Sequence, residues 1–199
     1  MNPRRKRGRV AKLTPPSAAW NEFAASLAAA LTDLGHLEML VISREGTDYF
    51  VQFAGHAFEG LRLEAVSNAY LSPYFQLPET STAQLLALGW SLPTYVQADH
   101  LIEPSTGSPN FYIDVGFPLD HRKLARLAIR TLRDVHNAID PSELVYRAWS
   151  ADCSSIRFGQ LGIRRLDIAD YFCERILSDV GVELVPSVQL PAMMPAEVS

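Results

Sequence analysis

The chain has 199 residues and a formal charge of −4, with 48% hydrophobic and 20% charged side chains; this suits a globular domain long enough to bury a core and excludes a wholly disordered chain. No apolar run reaches the roughly 18–20 residues that cross a bilayer, and no apolar stretch follows the basic start as in a secretory signal, so the expected location is cytoplasmic, without a membrane. Two cysteines, Cys153 and Cys173, and five scattered histidines match no metal-ligand spacing, so no metal or cofactor is expected and the thiols read as buried or idle.

Charge is unevenly spread. Arg4, Arg5, Lys6, Arg7, Arg9 and Lys12 open the chain; the remainder carries 12 basic against 22 acidic residues, a formal charge of −10. Residues 1–16, closed by Thr14-Pro15-Pro16, read as a disordered basic leader. Arg4, Arg5, Lys6 and Arg7 are candidate anion contacts for nucleic-acid or lipid phosphates. No aromatic residue interleaves them for base stacking, and a charge run serves equally as a solubilising segment.

Ser17 is placed to cap a helix over 18–34, in which Trp20, Phe23, Leu27, Leu31 and Leu34 form one apolar stripe and Gly35 stops the turn. Two strands follow, Leu37–Ser43 and Tyr49–Ala54, joined by the polar link REGTD. Gly55 and Gly60 bracket the next turn before a third strand, Leu61–Ser67. The three make an antiparallel meander. Residues 68–79 are irregular. Ser81-x-x-Gln84 fits a capping box for a short helix over 82–88, ended by Gly89, with Trp90 packing its end. Residues 91–109 form a long loop.

Asn110–Val115 reads as a fourth strand and 120–137 as a long helix capped by Asp120. Its inner stripe is Leu124, Leu127, Ala128, Leu132 and Val135, and its outer face is basic: Arg122, Lys123, Arg126, Arg130 and Arg133. Leu144–Trp149 is a fifth strand. A last amphipathic helix is expected over 167–180, and the chain from 186 onward reads as a disordered tail.

Alternation assigns side chains to sheet faces. Read through a five-residue link, Leu37, Met39, Val41, Tyr49, Val51, Phe53, Leu61, Leu63 and Ala65 share an apolar face against the first helix. Glu38, Leu40, Ile42, Phe50, Gln52, Arg62, Glu64 and Val66 then share a mixed outer face.

The order α-β-β-β-α-β-α-β, with about five antiparallel strands and a C-terminal helix, is an α+β arrangement that resembles the type III secretion chaperone-like fold. The runs EAVSN (64–68), LLALGW (85–90), SPNF (108–111), LAIRTLR (127–133) and LVYRAW (144–149) resemble the actinobacterial peptide-binding chaperone-like domains grouped with those chaperones and with YbjN-type domains. The resemblance covers residues 17–149, which leaves 150–185 as a helical extension packed on that domain and 186–199 as the tail. It implies a non-catalytic module that binds a peptide or unfolded segment of a partner protein, and a homodimer. The candidate anchors on the mixed face are Leu40, Ile42, Phe50 and Val66. A GxSxG elbow, a P-loop and a GxGxxG turn are all missing, so no enzyme is expected. The alternatives are a structural or regulatory homodimer without a client, and a nucleic-acid-associated protein acting through the leader.

Overall fold

Helix α1 runs Ala18–Asp33, and the Ser17 hydroxyl accepts the Trp20 N–H at 3.4 Å, the cap its sequence predicts. Its stripe of Trp20, Phe23, Leu27 and Leu31 is buried, joined by Ala28 and Ala30. The Trp20 indole donates to the Ile139 carbonyl at 3.1 Å, tying the start of α1 to a distant part of the chain. The computed structural model describes residues 17–56, 60–94 and 107–167. The first compact unit is Met1–Leu166, from which Asp167–Ser199 separates. The basic leader, the expected helix beyond Asp167 and the tail lie outside the described residues.

Strands β1 (Met39–Arg44), β2 (Phe50–His56), β3 (Gly60–Ala65), β4 (Phe111–Val115), β5 (Leu144–Trp149) and β6 (Arg164–Arg165) form one sheet in the order β4-β3-β2-β1-β5-β6. The expected five strands pair antiparallel; β6 is an addition and runs parallel to β5. Gly55, expected in a turn, lies inside β2. A Cβ there would sit 2.0 Å from the Gly35 carbonyl oxygen, so only glycine fits the approach.

The phase of β1 differs from the sequence reading. Ser43 pairs with Phe50, and the Arg44 N–H donates to the Tyr49 carbonyl at 3.0 Å, so the link is the four residues 45–48 rather than five. One residue less flips every side chain of β1. Leu40 and Ile42 therefore join Val51, Phe53, Leu63 and Ala65 in the core, whereas Val41, although buried, lies outside that cluster. The expectation that Leu40 and Ile42 sit on the outer face is corrected by this register.

Helix α2 spans Glu79–Leu88, starting earlier than its Ser81 signal; Ser81 is buried in the first turns instead of capping them. Gly89 takes φ 102°, with its N–H and that of Trp90 closing on Leu86 and Leu85 carbonyls at 3.0 and 3.1 Å. Helix α3 spans His121–Arg130, with the Asp120 carboxylate accepting the Lys123 N–H at 3.0 Å. The expected helix does not continue as α: Thr131–Val135 is a π-helical turn, in which the His136 N–H reaches the Thr131 carbonyl at 2.9 Å. Buried Thr131 takes the Trp90 indole N–H at 2.9 Å and donates to Leu127 at 3.1 Å, so Trp90 anchors α2 to this turn. Residues 150–166 pack with the first unit: Phe158 and Leu161 are buried, and Leu166 donates to Tyr146 at 2.8 Å.

The register is testable by stability. Ile42→Ala is expected to cost about 2–5 kcal/mol, the usual penalty for deleting a buried aliphatic side chain. Ser43→Ala, on the other face, is expected to stay within about 0.5 kcal/mol. Urea denaturation of the two variants checks this; a reversed order would put β1 in the opposite phase.

Candidate peptide-binding surface

The anchors expected from sequence do not form a surface. Leu40, Ile42 and Val66 are each 0% exposed and belong to the core cluster, and Phe50 is half-buried against that cluster. The sheet face opposite the helices is made of other residues. Cross-strand pairing aligns Arg147, Val41, Gln52, Glu64 and Tyr112 in one row, and Trp149, Met39, Ala54, Arg62 and Asp114 in the next.

Most polar groups of this face are engaged with one another. The Arg62 guanidinium meets both Asp114 oxygens at 2.7 and 2.9 Å, donates to the Gly107 carbonyl at 2.8 Å and lies 5.5 Å over the Tyr112 ring. Its hydrogen bonds to Asp114 push its pKa further above the ordinary arginine value. Buried Glu64 accepts from Gln52 Nε2 at 2.6 Å and Asn110 Nδ2 at 3.2 Å. Asn110 Oδ1 accepts the Ser67 N–H at 3.1 Å, and the Ser67 hydroxyl donates to the Pro109 carbonyl at 2.7 Å. The EAVSN and SPNF runs are thus one buried polar knot joining the ends of β3 and β4.

The described sheet edges are partly occupied too. Ser91 exchanges backbone bonds with Tyr112 at 2.9 and 3.2 Å along β4, and β5 carries β6 and a bridge from Trp149 to Ser155. Pairing with an added strand is therefore restricted at both.

The helix layer is open by contrast. Between α1 and the start of α3 lies a shallow groove of about 550 Å³, lined by Ala25, Ala28, Ala29, Thr32, Leu119, Asp120, His121 and Arg122. Alanines along one side of α1 keep its floor low. The Thr32 hydroxyl, which donates to the Ala28 carbonyl at 3.0 Å, approaches His121 Nδ1 at 3.4 Å and joins the two walls. Arg122, Lys123, Arg126 and Arg130 stand exposed along α3, as the sequence predicts, while Arg133 is mostly covered and pairs with Asp134 at 2.6 Å. Of the groove, the sequence reading held only Arg122 and the Asp120 cap; the small residues recurring along α1 were the available signal for the rest.

A family model for peptide-binding chaperones, described as T3SS (YopN, CesT) and YbjN peptide-binding chaperone 3 (TY-Chap3), matches residues 15–150. The chain belongs to this family. No curated protein and no solved structure gives a significant match. The matched span takes in α1 to β5, and so both walls of the groove and the polar knot of this TY-Chap3 chain.

Among the described residues of this family member, no group of three His, Cys, Asp or Glu side chains could hold a metal ion, and no helix is long and apolar enough to cross a membrane. Cys153 is exposed rather than buried, at φ 62° in the turn after β5; Cys173 lies outside the described residues. Arg4, Arg5, Lys6 and Arg7 lie outside them as well.

His136 stands apart from the other titratable groups of the described residues by its burial without a side-chain hydrogen-bond partner. His136 is 0% exposed, and neither ring nitrogen has a hydrogen-bond partner. The Tyr49 ring stacks on it at 4.9 Å, and the Arg44 guanidinium donates to its carbonyl at 3.0 Å while pairing with Glu143 at 3.1 Å. Burial, and then the charge of Arg44, lower its pKa from 6.5 to about 3. The folded pKa lies below the unfolded one, so between them the unfolded chain holds a proton that the folded chain refuses. Stability is full above pH 6.5 and falls as pH drops toward 3, by about 1.4 kcal/mol per pH unit. The lowered carboxylates Asp140 and Asp152 start from 3.8, so their effect is concentrated at the acid end of that range, below about pH 4. His136→Leu is expected to flatten the loss of stability between pH 6.5 and 4, measured by urea denaturation at each pH; an unchanged slope would refute the assignment to His136.

Proposed function

We propose that this chain is a non-catalytic, chaperone-like module that holds a peptide or unfolded segment of a partner protein in the groove between α1 and α3. The observation that carries this reading is the groove itself. It is open to solvent, of a volume usual for ligand sites, and lined by alanine methyl groups. A shallow trough between two helices suits a chain segment better than a compact metabolite, because a segment can lie along it and bury apolar side chains against the alanines. Family membership supports the same reading, since the family is described as peptide-binding. The sheet is a weaker candidate: much of its outer polar surface is already paired, and both edges are partly taken.

The test is an array of immobilised peptides probed with the full chain and with Ala29→Trp. Ala29 is exposed and lines the groove, so a tryptophan there fills the trough without entering the core. Binding of a subset of peptides by the parent chain, lost in a variant that melts at the parent temperature, is the expected result. Equal binding by the variant would move the site away from the groove. No peptide captured by the parent chain would sink the peptide-binding reading.

A further inference from the structure

We infer that the partner segment held in this groove is acidic, its Asp and Glu side chains meeting Arg122, Lys123 and Arg126 while its backbone runs over Ala25 and Ala29. The inference rests on the peptide-binding reading and adds the chemistry of the segment. It starts from a placement that works against stability. Helix α3 opens with His121, Arg122 and Lys123 and has no acidic residue in its first turn. A helix N-terminus carries the positive end of the macrodipole and unsatisfied N–H groups, so cations there repel it. The one acid at this end, the Asp120 N-cap, is engaged by the Lys123 N–H at 3.0 Å, and three successive cationic or titratable side chains follow it.

The same cations lack compensating partners. Among the described residues, no ion pair within 4.0 Å engages Arg122, Lys123 or Arg126; Arg130 reaches Asp134 at 3.9 Å and Arg133 is paired with Asp134. Outside the leader, five of the 12 basic residues of an otherwise acidic chain fall on this one segment, Arg122 to Arg133. Arg122 lines the groove together with the Asp120 carboxylate, and Lys123 and Arg126 stand exposed on the same helix, so cations outnumber the one acid at this end and create a local field that attracts anions. An acidic peptide satisfies it through charge-assisted hydrogen bonds, worth more than neutral ones.

A polypeptide fits better than a nucleic acid. The groove floor is alanine methyl groups, and no Phe, Tyr or Trp lines it for base stacking. The net charge of −10 outside the leader repels a long polyanion more than a short acidic segment.

The experiment uses the full chain and two fluorescein-labelled peptides, one alternating Glu with Ala and one with Gln in place of each Glu. Binding is followed by anisotropy with the parent chain and with Arg122→Glu/Arg126→Glu. The parent is expected to bind the Glu peptide about tenfold more tightly than the Gln peptide, with the preference shrinking as salt is raised. The variant is expected to lose that preference while melting no lower than the parent, because an acid in the first turn of α3 complements the dipole. An Arg122→Gln/Arg126→Gln variant, which introduces no new charge, should give an intermediate loss. Equal binding of the two peptides by the parent, or binding of array peptides with neither of these bound, overturns the acidic preference and leaves the peptide-binding reading standing. A preference that survives in the double Glu variant places the acidic site elsewhere and overturns the inference. Displacement of the Glu peptide by a single-stranded oligonucleotide that itself loses binding in the variant assigns the face to nucleic acid and overturns it too.

Discussion

The backbone bond from Arg44 to Tyr49 closes the first hairpin and sets the phase of the central strands. It places both of these side chains on the helix side of the sheet, and both meet the same residue. The Arg44 guanidinium takes the His136 carbonyl and the Glu143 carboxylate; the Tyr49 ring stacks on the His136 imidazole and meets Phe75 edge-on at 5.7 Å. The hairpin end is thereby fastened to the π turn that follows α3 and to the segment before α2. A hydrogen-bonding imidazole is not required there. The imidazole serves as a flat stacking surface for Tyr49, and its burial keeps it neutral.

The π turn and the hairpin answer each other. An α-helix continued through residue 137 would carry successive side chains around at an even 100°. The wider turn lets Thr131 meet the Trp90 indole and His136 meet Tyr49 from one short segment. Two long-range contacts fix a local distortion that no local preference would produce. For this reason the helix was legible only as far as Arg130, where its caps and stripe are local, and the turn beyond it was not.

Legibility elsewhere follows the range of the deciding interaction. Ser17, Asp120 and Gly89 act within their own turns, and each was readable. The alternating runs of β2 and β3 were readable because one phase is clearly more apolar. The run LEMLVIS is apolar in both phases, so its own pattern cannot choose a face; the four-residue turn chooses, and that turn is one residue from the loop length its composition suggests. The resemblance runs EAVSN and SPNF were readable as signatures but not as structure. Their role, a knot in which Asn110 serves Glu64 and Ser67 at once, exists only when β4 lies beside β3.

The basic face of α3 was legible from spacing alone, whereas the groove beside it was not, because its other wall comes from α1, almost a hundred residues earlier. The split has a physical basis. The sheet's polar groups are spent on one another: Arg62 on Asp114, Glu64 on two amides, the β4 edge on Ser91. Such mutual satisfaction rigidifies a surface and leaves it little to offer a partner. On the helix layer the balance is reversed, with cations at a positive helix end and alanines where larger side chains would have filled the trough. Local rules are usually broken where something other than stability is being served. The proposed site lies at the start of α3, where exposed cations and the open groove meet.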